Sequence, residues 1–409
     1  MNCPGATARR RERNSRILLR VLERDPENLR NRFYLGLTHF EAERWDDAIP
    51  HLQAVVDQAG NGLDFLPKAY ACLANSLLNA RQPLQAEAIL RHGLARFPHH
   101  PELWFCLGLV LDNFGRLAEA IAANEAALLG RFGPSLNWHD WACRESKPHI
   151  ALCDLKLTMG EVAAAEEHLA AAERFTGPQP AYAQIREAIA GTREEHACRA
   201  ADLQRMLAQY ESQYAAGDRV AGERLITTLL EDGQLERART LAGDCRGSAF
   251  SDAWAKIARG RVLLASGAPD EALECFRSVR ESCPDLTQAW LGEARAWQAL
   301  DRGEAAETTL LEALQRATER EAVNQALGEL YRGQQRWDEA MRCFQSNLET
   351  QDEDESVWLG LGEALLRTGN APAAIHCYQR AASLSGGGAA VRIALGEARE
   401  YLAKLRVES

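Results

Sequence analysis

The sequence predicts an all-α chain of antiparallel helix pairs stacked side by side, and three observations carry that prediction. The first is a 34-residue period. Blocks begun at Leu29, Pro67, Pro101, Ser146, Arg219, Ala253, Thr287, Glu321 and Glu355 all place alanine at their twentieth position: Ala48, Ala86, Ala120, Ala165, Ala238, Ala272, Ala306, Ala340 and Ala374. The second is a small residue at the eighth position: Gly36, Ala74, Gly108, Cys153, Gly260, Ala294, Gly328 and Gly362, with Ile226 the exception. The third is helical spacing within blocks. Apolar residues recur three and four apart, as in Ala272, Leu273, Phe276 and Val279. No segment sustains period-two alternation, so essentially no β-sheet is expected.

Each block divides into two helices for simple reasons. Small residues at the eighth and twentieth positions let two backbones approach closely. Large residues fill the flanking space: Tyr70, Trp104, Trp290 and Trp358 at the fourth position, and Phe276, Phe344 and Tyr378 at the twenty-fourth. Gly115, Gly160, Gly233, Gly267 and Gly369 fall where the first helix must end, and a left-handed residue ends a helix cheaply there. Pro98 and Pro284 close their blocks. A lone pair cannot bury its apolar face, so consecutive pairs must stack.

The pattern resembles the tetratricopeptide repeat, with its W-x2-L-G-x2-Y, A-x3-F and P positions. Leu103 to Ile121, LWFCLGLVLDNFGRLAEAI, and Val357 to Ile375, VWLGLGEALLRTGNAPAAI, carry the likeness. It implies an α-α superhelix, a solenoid of helix pairs, whose first helices line a concave groove that holds a protein or peptide.

Register shifts organise the chain. Residues 1–13 read as a basic tail, and the run Arg9-Arg10-Arg11-Glu12-Arg13 as a solvated one. Residues 14–179 form a first array, which starts with Asn14 to Glu23 as a lone second helix. An insertion near 135–145 lengthens the spacing from Pro101 to Ser146, and a surplus near Gly60-Asn61-Gly62 lengthens an earlier one. Residues 180–218 fit the signature poorly and are expected to be an irregular helical connector. Residues 219–405 form a second array. Its last helix, 389–405, is expected to cap it after the Gly386-Gly387-Gly388 turn.

Composition excludes several classes. The 409 residues exceed a single compact core, which stops growing at about 250–300 residues. A formal charge of −11 argues against nucleic acid as a partner. No apolar run approaches the ~20 residues of a membrane span. No apolar segment of signal-peptide length follows the basic N-terminus. The 11 cysteines are odd in number and lack a C-x-x-C pair, so free thiols and a cytoplasmic location are expected.

Arg13 to Gln53 and Lys147 to Leu169 are similar to the repeats that follow the catalytic domain in bacterial family-2 glycosyltransferases. The resemblance covers residues 13–179. It implies a detached or accessory portion of such a system, without activity, because the α/β catalytic half is absent from this sequence. Asp352-Glu353-Asp354 spells D-x-D but lies between helical blocks with no strand before it.

Candidate sites follow from the groove. In the second array Arg261 and Arg295 hold the ninth position, Arg332 the twelfth and Arg367 the thirteenth. Such a row would bind carboxylates of an acidic partner. Glu329 and Glu363 stand three and four residues before Arg332 and Arg367 and compete for them. In the first array Lys68, Asn75, Asn79, Asp112, Asn113 and Asp154 form a mixed polar face suited to an extended chain. Trp138 and Trp141 in the insertion are a further candidate contact. His139, Cys143, His149 and Cys153 have metal-ligand residue types, but packing positions account for Cys153 and His149. Cys275, Cys343 and Cys377 share the twenty-third position, which favours packing over reactivity. No catalytic residue, metal or cofactor is expected. The expected function is that of a non-catalytic scaffold or adaptor.

Overall fold

The computed structural model describes residues 4–60, 62–132, 140–244, 252–316, 319–349, 354–385 and 388–408, which hold α-helices and no strand. Helix α1 spans Pro4–Arg24. Four hairpins follow: α2 (Leu29–Glu41) with α3 (Trp45–Gln58), α4 (Leu66–Asn79) with α5 (Pro83–Arg96), α6 (Pro101–Asn113) with α7 (Leu117–Leu129), and α8 (Ser146–Thr158) with α9 (Val162–Thr176). Helix α10 is Tyr182–Ala215. Five more hairpins are α11 (Arg219–Glu231) with α12 (Leu235–Asp244), α13 (Asp252–Ala265) with α14 (Pro269–Ser282), and α15 (Thr287–Ala299) with α16 (Gly303–Arg316). They continue with α17 (Arg320–Gly333) with α18 (Trp337–Leu348) and α19 (Glu355–Arg367) with α20 (Ala371–Ser385). Helix α21 is Ala389–Glu408.

The nine hairpins coincide with the nine sequence blocks, and the twentieth-position alanine is fully buried in every one, at 0% exposure. The eighth position explains the requirement for small residues more sharply than expected. It lies against the twenty-fourth side chain of the same hairpin, sixteen residues on. A methyl group on Gly36 would stand 2.8 Å from Leu52, and one on Gly260 or Gly328 2.7 Å from Phe276 or Phe344. In the exceptional block the sizes are exchanged: Ile226 is paired by this spacing with Ala242, and both are buried in one cluster.

All nine turns between paired helices use one left-handed residue. Gly115, Gly160, Gly233, Gly267 and Gly369 fill five of them at φ between 66° and 89°. Glu43, Arg81, Asp301 and Gln335 fill the other four at φ between 57° and 60°, where an L-residue is strained. The recurrence of Trp and Pro also has a cause. Trp104 Nε1 donates to Pro98 O, and Trp290 Nε1 to Pro284 O, each at 2.7 Å. The bond satisfies the buried Trp290 indole and holds the half-buried Trp104 ring against the preceding turn.

Two compact units divide the chain: residues 1–193 with 387–409, and residues 194–386. The first holds two apolar clusters, one from Phe33 to Leu155 and one joining α8 and α9 to Tyr182 and Ile189. The second holds a cluster over α13–α20 and a smaller one over α10–α13.

Three expectations differ from the structure. The segment read as a tail and a lone helix is one helix from Pro4, since proline suits a first helical turn and Ala and Arg are good helix formers. The connector is not irregular: α10 is continuous for 34 residues, because its one interior glycine, Gly191, weakens a helix without breaking it. The C-terminal helix, expected to end the second array, groups with the first one and packs there. Asp354 of the D-x-D caps α19 by accepting from Ser356 N at 2.8 Å, and Asp352 and Glu353 lie outside the described residues.

Candidate functional site

Successive first helices touch one another within each unit, as α4 does α6 and α13 does α15, and successive second helices are farther apart. The first helices therefore line the inner face of each array. The arginine, lysine, asparagine and aspartate candidates lie on first helices, but their surroundings differ from what the sequence implied.

In the first unit Lys68 is not free to bind. Its Nζ lies 2.5 Å from Glu102 Oε1, and Glu102 is 4% exposed. Burial works against the Lys68 charge, but Glu102 outweighs it and raises its pKa. Burial likewise pushes the Glu102 carboxyl up. Asn75 Nδ2 reaches Cys106 Sγ at 3.5 Å, and Asn79 Nδ2 donates to Asn75 O within its own helix. Asn113 is half-buried at the end of α6. Asp112 and Asp154 are joined by Arg392 of α21, a partner that sequence reasoning missed.

Near Lys68, ligand atoms of Glu102, Asp140 and Cys143 lie within 4.8 Å of one another. Two ammonium groups already balance the two carboxylates, since Lys147 Nζ is 2.5 Å from Asp140. Burial raises Asp140, but Lys147 prevails and lowers it. Burial pushes the Cys143 thiol far above its usual range, and Cys106 to about 12. A dication would have to displace both lysines and ionise a buried thiol, so the donor set does not fit one well. The His/Cys spacing noted in the sequence is not assembled. Cys143 lies by Glu102, whereas His149 Nδ1 faces His168 Nδ1 at 3.1 Å, and His139 lies outside the described residues.

Trp138 also lies outside the described residues. Trp141 is 44% exposed and meets Phe132 edge-on at 4.8 Å, so it packs back on its own unit. Burial raises the pKa of Cys275, Cys343 and Cys377, the last to about 11, so none is an activated thiol.

In the second unit Arg261 and Arg295 border one cavity of about 520 Å³, floored by Leu230, Leu264, Phe276 and Leu291. Arg261 Nη1 donates to Thr227 Oγ1 at 2.7 Å. Arg295 is exposed and makes no ion pair among the described residues. The other two arginines do not join them. Arg332 is held by Glu329 at 3.1 Å and Glu363 at 3.3 Å, and the Arg367 guanidinium lies 6.0 Å from the Trp337 ring centroid. The second unit thus sets two of the four arginines beside one cavity whose lining is largely apolar and also includes the carboxylate of Glu231.

A family model described as tetratricopeptide repeat matches residues 8–62, 73–136, 257–322 and 326–389, more than half of the chain. The chain belongs to the tetratricopeptide repeat family. Tetratricopeptide repeat proteins bind protein partners. Among solved structures, the crystal structure of the APC/C hetero-tetramer Cut9–Hcn1 is similar at 14% identity, over 97% of this chain and 81% of that one, with a TM-score of 0.43. PilF of Pseudomonas aeruginosa is similar at 24% identity, over 46% of this chain and 89% of that one, with a TM-score of 0.38. The thermophilic protein TTC0263 of Thermus thermophilus is similar at 20% identity, over 48% and 98%, with a TM-score of 0.34. No curated protein matches the sequence. Among the described residues of this tetratricopeptide chain, no helix is long and apolar enough to cross a membrane.

Proposed function

We propose that the chain is a non-catalytic scaffold that holds segments of partner proteins along the inner faces of its two arrays. One observation carries the reading: Arg261 and Arg295 line one largely apolar cavity of the second unit, where their two cations outnumber the single carboxylate of Glu231. Arginine forks suit carboxylates, and an apolar floor suits a neighbouring side chain of the same segment. The partner class is therefore an acidic peptide with interspersed apolar residues. Free thiols, nine of them among the described residues, support work in a reducing compartment such as the cytoplasm.

The test uses a fluorescein-labelled decapeptide of alternating Glu and Leu. Wild-type chain is expected to bind it, and Arg295→Glu to weaken binding at least tenfold. Equal binding by Arg295→Glu would reject the site.

A second reading rests on the likeness of residues 13–179 to glycosyltransferase repeats. It makes the chain an accessory of a family-2 glycosyltransferase. A transferase recovered with the tagged chain would favour it; recovery of none would count against it.

A further inference from the structure

Helix α21 shows how the first unit holds a helix. Arg392 Nη2 lies 2.6 Å and 2.7 Å from the two carboxylate oxygens of Asp112 and 3.1 Å from Asp154 Oδ2. Its Nη1 meets Thr158 Oγ1 at 2.5 Å. Asp112 stands next to the last residue of α6, and Thr158 is the last residue of α8. The guanidinium thus sits where two helices present their negative ends as well as two carboxylates.

The backbone contact is equally specific. A methyl group on Gly396 would overlap the carbonyl of Phe114, and one on Gly115 would stand 2.7 Å from Arg392 O. The helix lies so close to the α6–α7 turn that only glycine fits at both points. Arg392 and Gly396 are four apart, hence on one face. The face beside them is not complete. A cavity of about 450 Å³ shares Asp112 and Asp154 with this site, and α21 contributes none of its lining. Asn124 borders the same cavity, is 1% exposed, and its Oδ1 has no hydrogen-bond partner among the described residues. Meanwhile Ile393, Tyr401 and Leu405 of α21 stay 38–41% exposed. Thus α21 satisfies the charges of the site and buries Val391 and Ala398, but leaves the neighbouring cavity unfilled.

We propose that Asp112 and Asp154 form a receiving site for a partner helix that carries arginine and, four residues later, glycine, and that α21 occupies this site in cis until such a helix displaces it. A displacing helix gains by filling the cavity that α21 leaves open. It must do so against the high effective concentration of a tethered competitor, of the order of millimolar. The inference rests on the groove-binding reading but not on Arg261 or Arg295. Loss of the acidic decapeptide from Arg295→Glu would therefore stand even if this site failed.

The experiment measures binding of a labelled peptide of residues 388–408 to the full chain by fluorescence anisotropy. Wild-type chain should bind it weakly, because its own α21 competes. The Gly396→Ala chain, whose α21 cannot seat, should bind it at least tenfold more tightly, and the Arg392→Glu chain likewise. Adding Asp112→Asn and Asp154→Asn to the Gly396→Ala chain should abolish the gain, and a peptide carrying Arg392→Glu should bind no chain. If both released chains bind no more tightly than wild type, or binding survives loss of both carboxylates, the proposal is overturned. A wild-type chain that light scattering shows to be a dimer, with peptide binding only on dilution, would place α21 in a second copy and overturn the cis assignment.

Discussion

Gly292 lies so close to Phe276 that a β-carbon on the glycine would overlap Cε1 and Cδ1 of the ring. Phe276 belongs to α14 and Gly292 to the next hairpin, so the ring filling one hairpin is also the wedge against its neighbour. Gly360 repeats this against Phe344, where a methyl group on the glycine would stand 2.6 Å from the ring. Gly292→Ala should therefore destabilise by about 1–3 kcal/mol through overpacking. Phe276→Leu in the same chain should recover part of the loss. Urea unfolding checks both, and an unchanged midpoint for Gly292→Ala would contradict the packing described.

The four strained turns predict the opposite sign. Glu43, Arg81, Asp301 and Gln335 occupy left-handed backbone that glycine adopts freely. Each change to glycine should stabilise by up to about 1 kcal/mol, offset in part by the greater freedom of glycine in the unfolded chain. Gly233→Ala is the control. A β-carbon there meets nothing within 4 Å, so its loss of stability reports the backbone angle alone. Thermal unfolding of the variants measures both.

The ion pair Lys68–Glu102 should behave as a buried pair. Lys68→Met leaves Glu102 uncompensated and should cost about 3–5 kcal/mol. Replacing both by methionine should cost much less than Lys68→Met alone. A double-mutant cycle in urea gives the coupling; additive losses would contradict the pairing.

Acid should weaken the first unit through its histidine pairs. Burial lowers the pKa of His39, His51, His149 and His168 below the ordinary 6.5. Below pH 6.5 the unfolded chain takes up protons that the folded one resists, so stability falls as pH falls. Melting temperature should drop by roughly 2–4 °C for each kcal/mol lost. A His51→Phe, His168→Phe chain should lose less between pH 7.5 and 5.5 than wild type. Equal losses would remove these histidines as the cause.

The hairpins were legible because the period repeats their geometry nine times, and the five glycine turns stood at one phase. Lys68 and Glu102 were legible in principle. They are 34 residues apart, at the same phase of adjacent blocks, so the stacking that the period implies brings them together. Lys68 therefore faces Glu102 and not an open groove. Arg261 and Thr227, also 34 apart, follow the same rule. The link from Arg392 to Asp112 spans 280 residues and obeys no period, so nothing local announced it. Helix α10 escaped because an uninterrupted helix needs no repeat signature. Arg332 is engaged by Glu329, whose competition the sequence showed, and by Glu363 on the next first helix, which only the stacking brings near.

The most direct test of the account is hydrogen–deuterium exchange across the full chain, comparing wild type with Gly396→Ala. If α21 is seated on Asp112 and Asp154, amides of residues 391–400 are protected in wild type and exchange fast in the variant, while α15 is unchanged. Equal exchange of α21 in both chains would contradict the seated helix and the occupied groove with it.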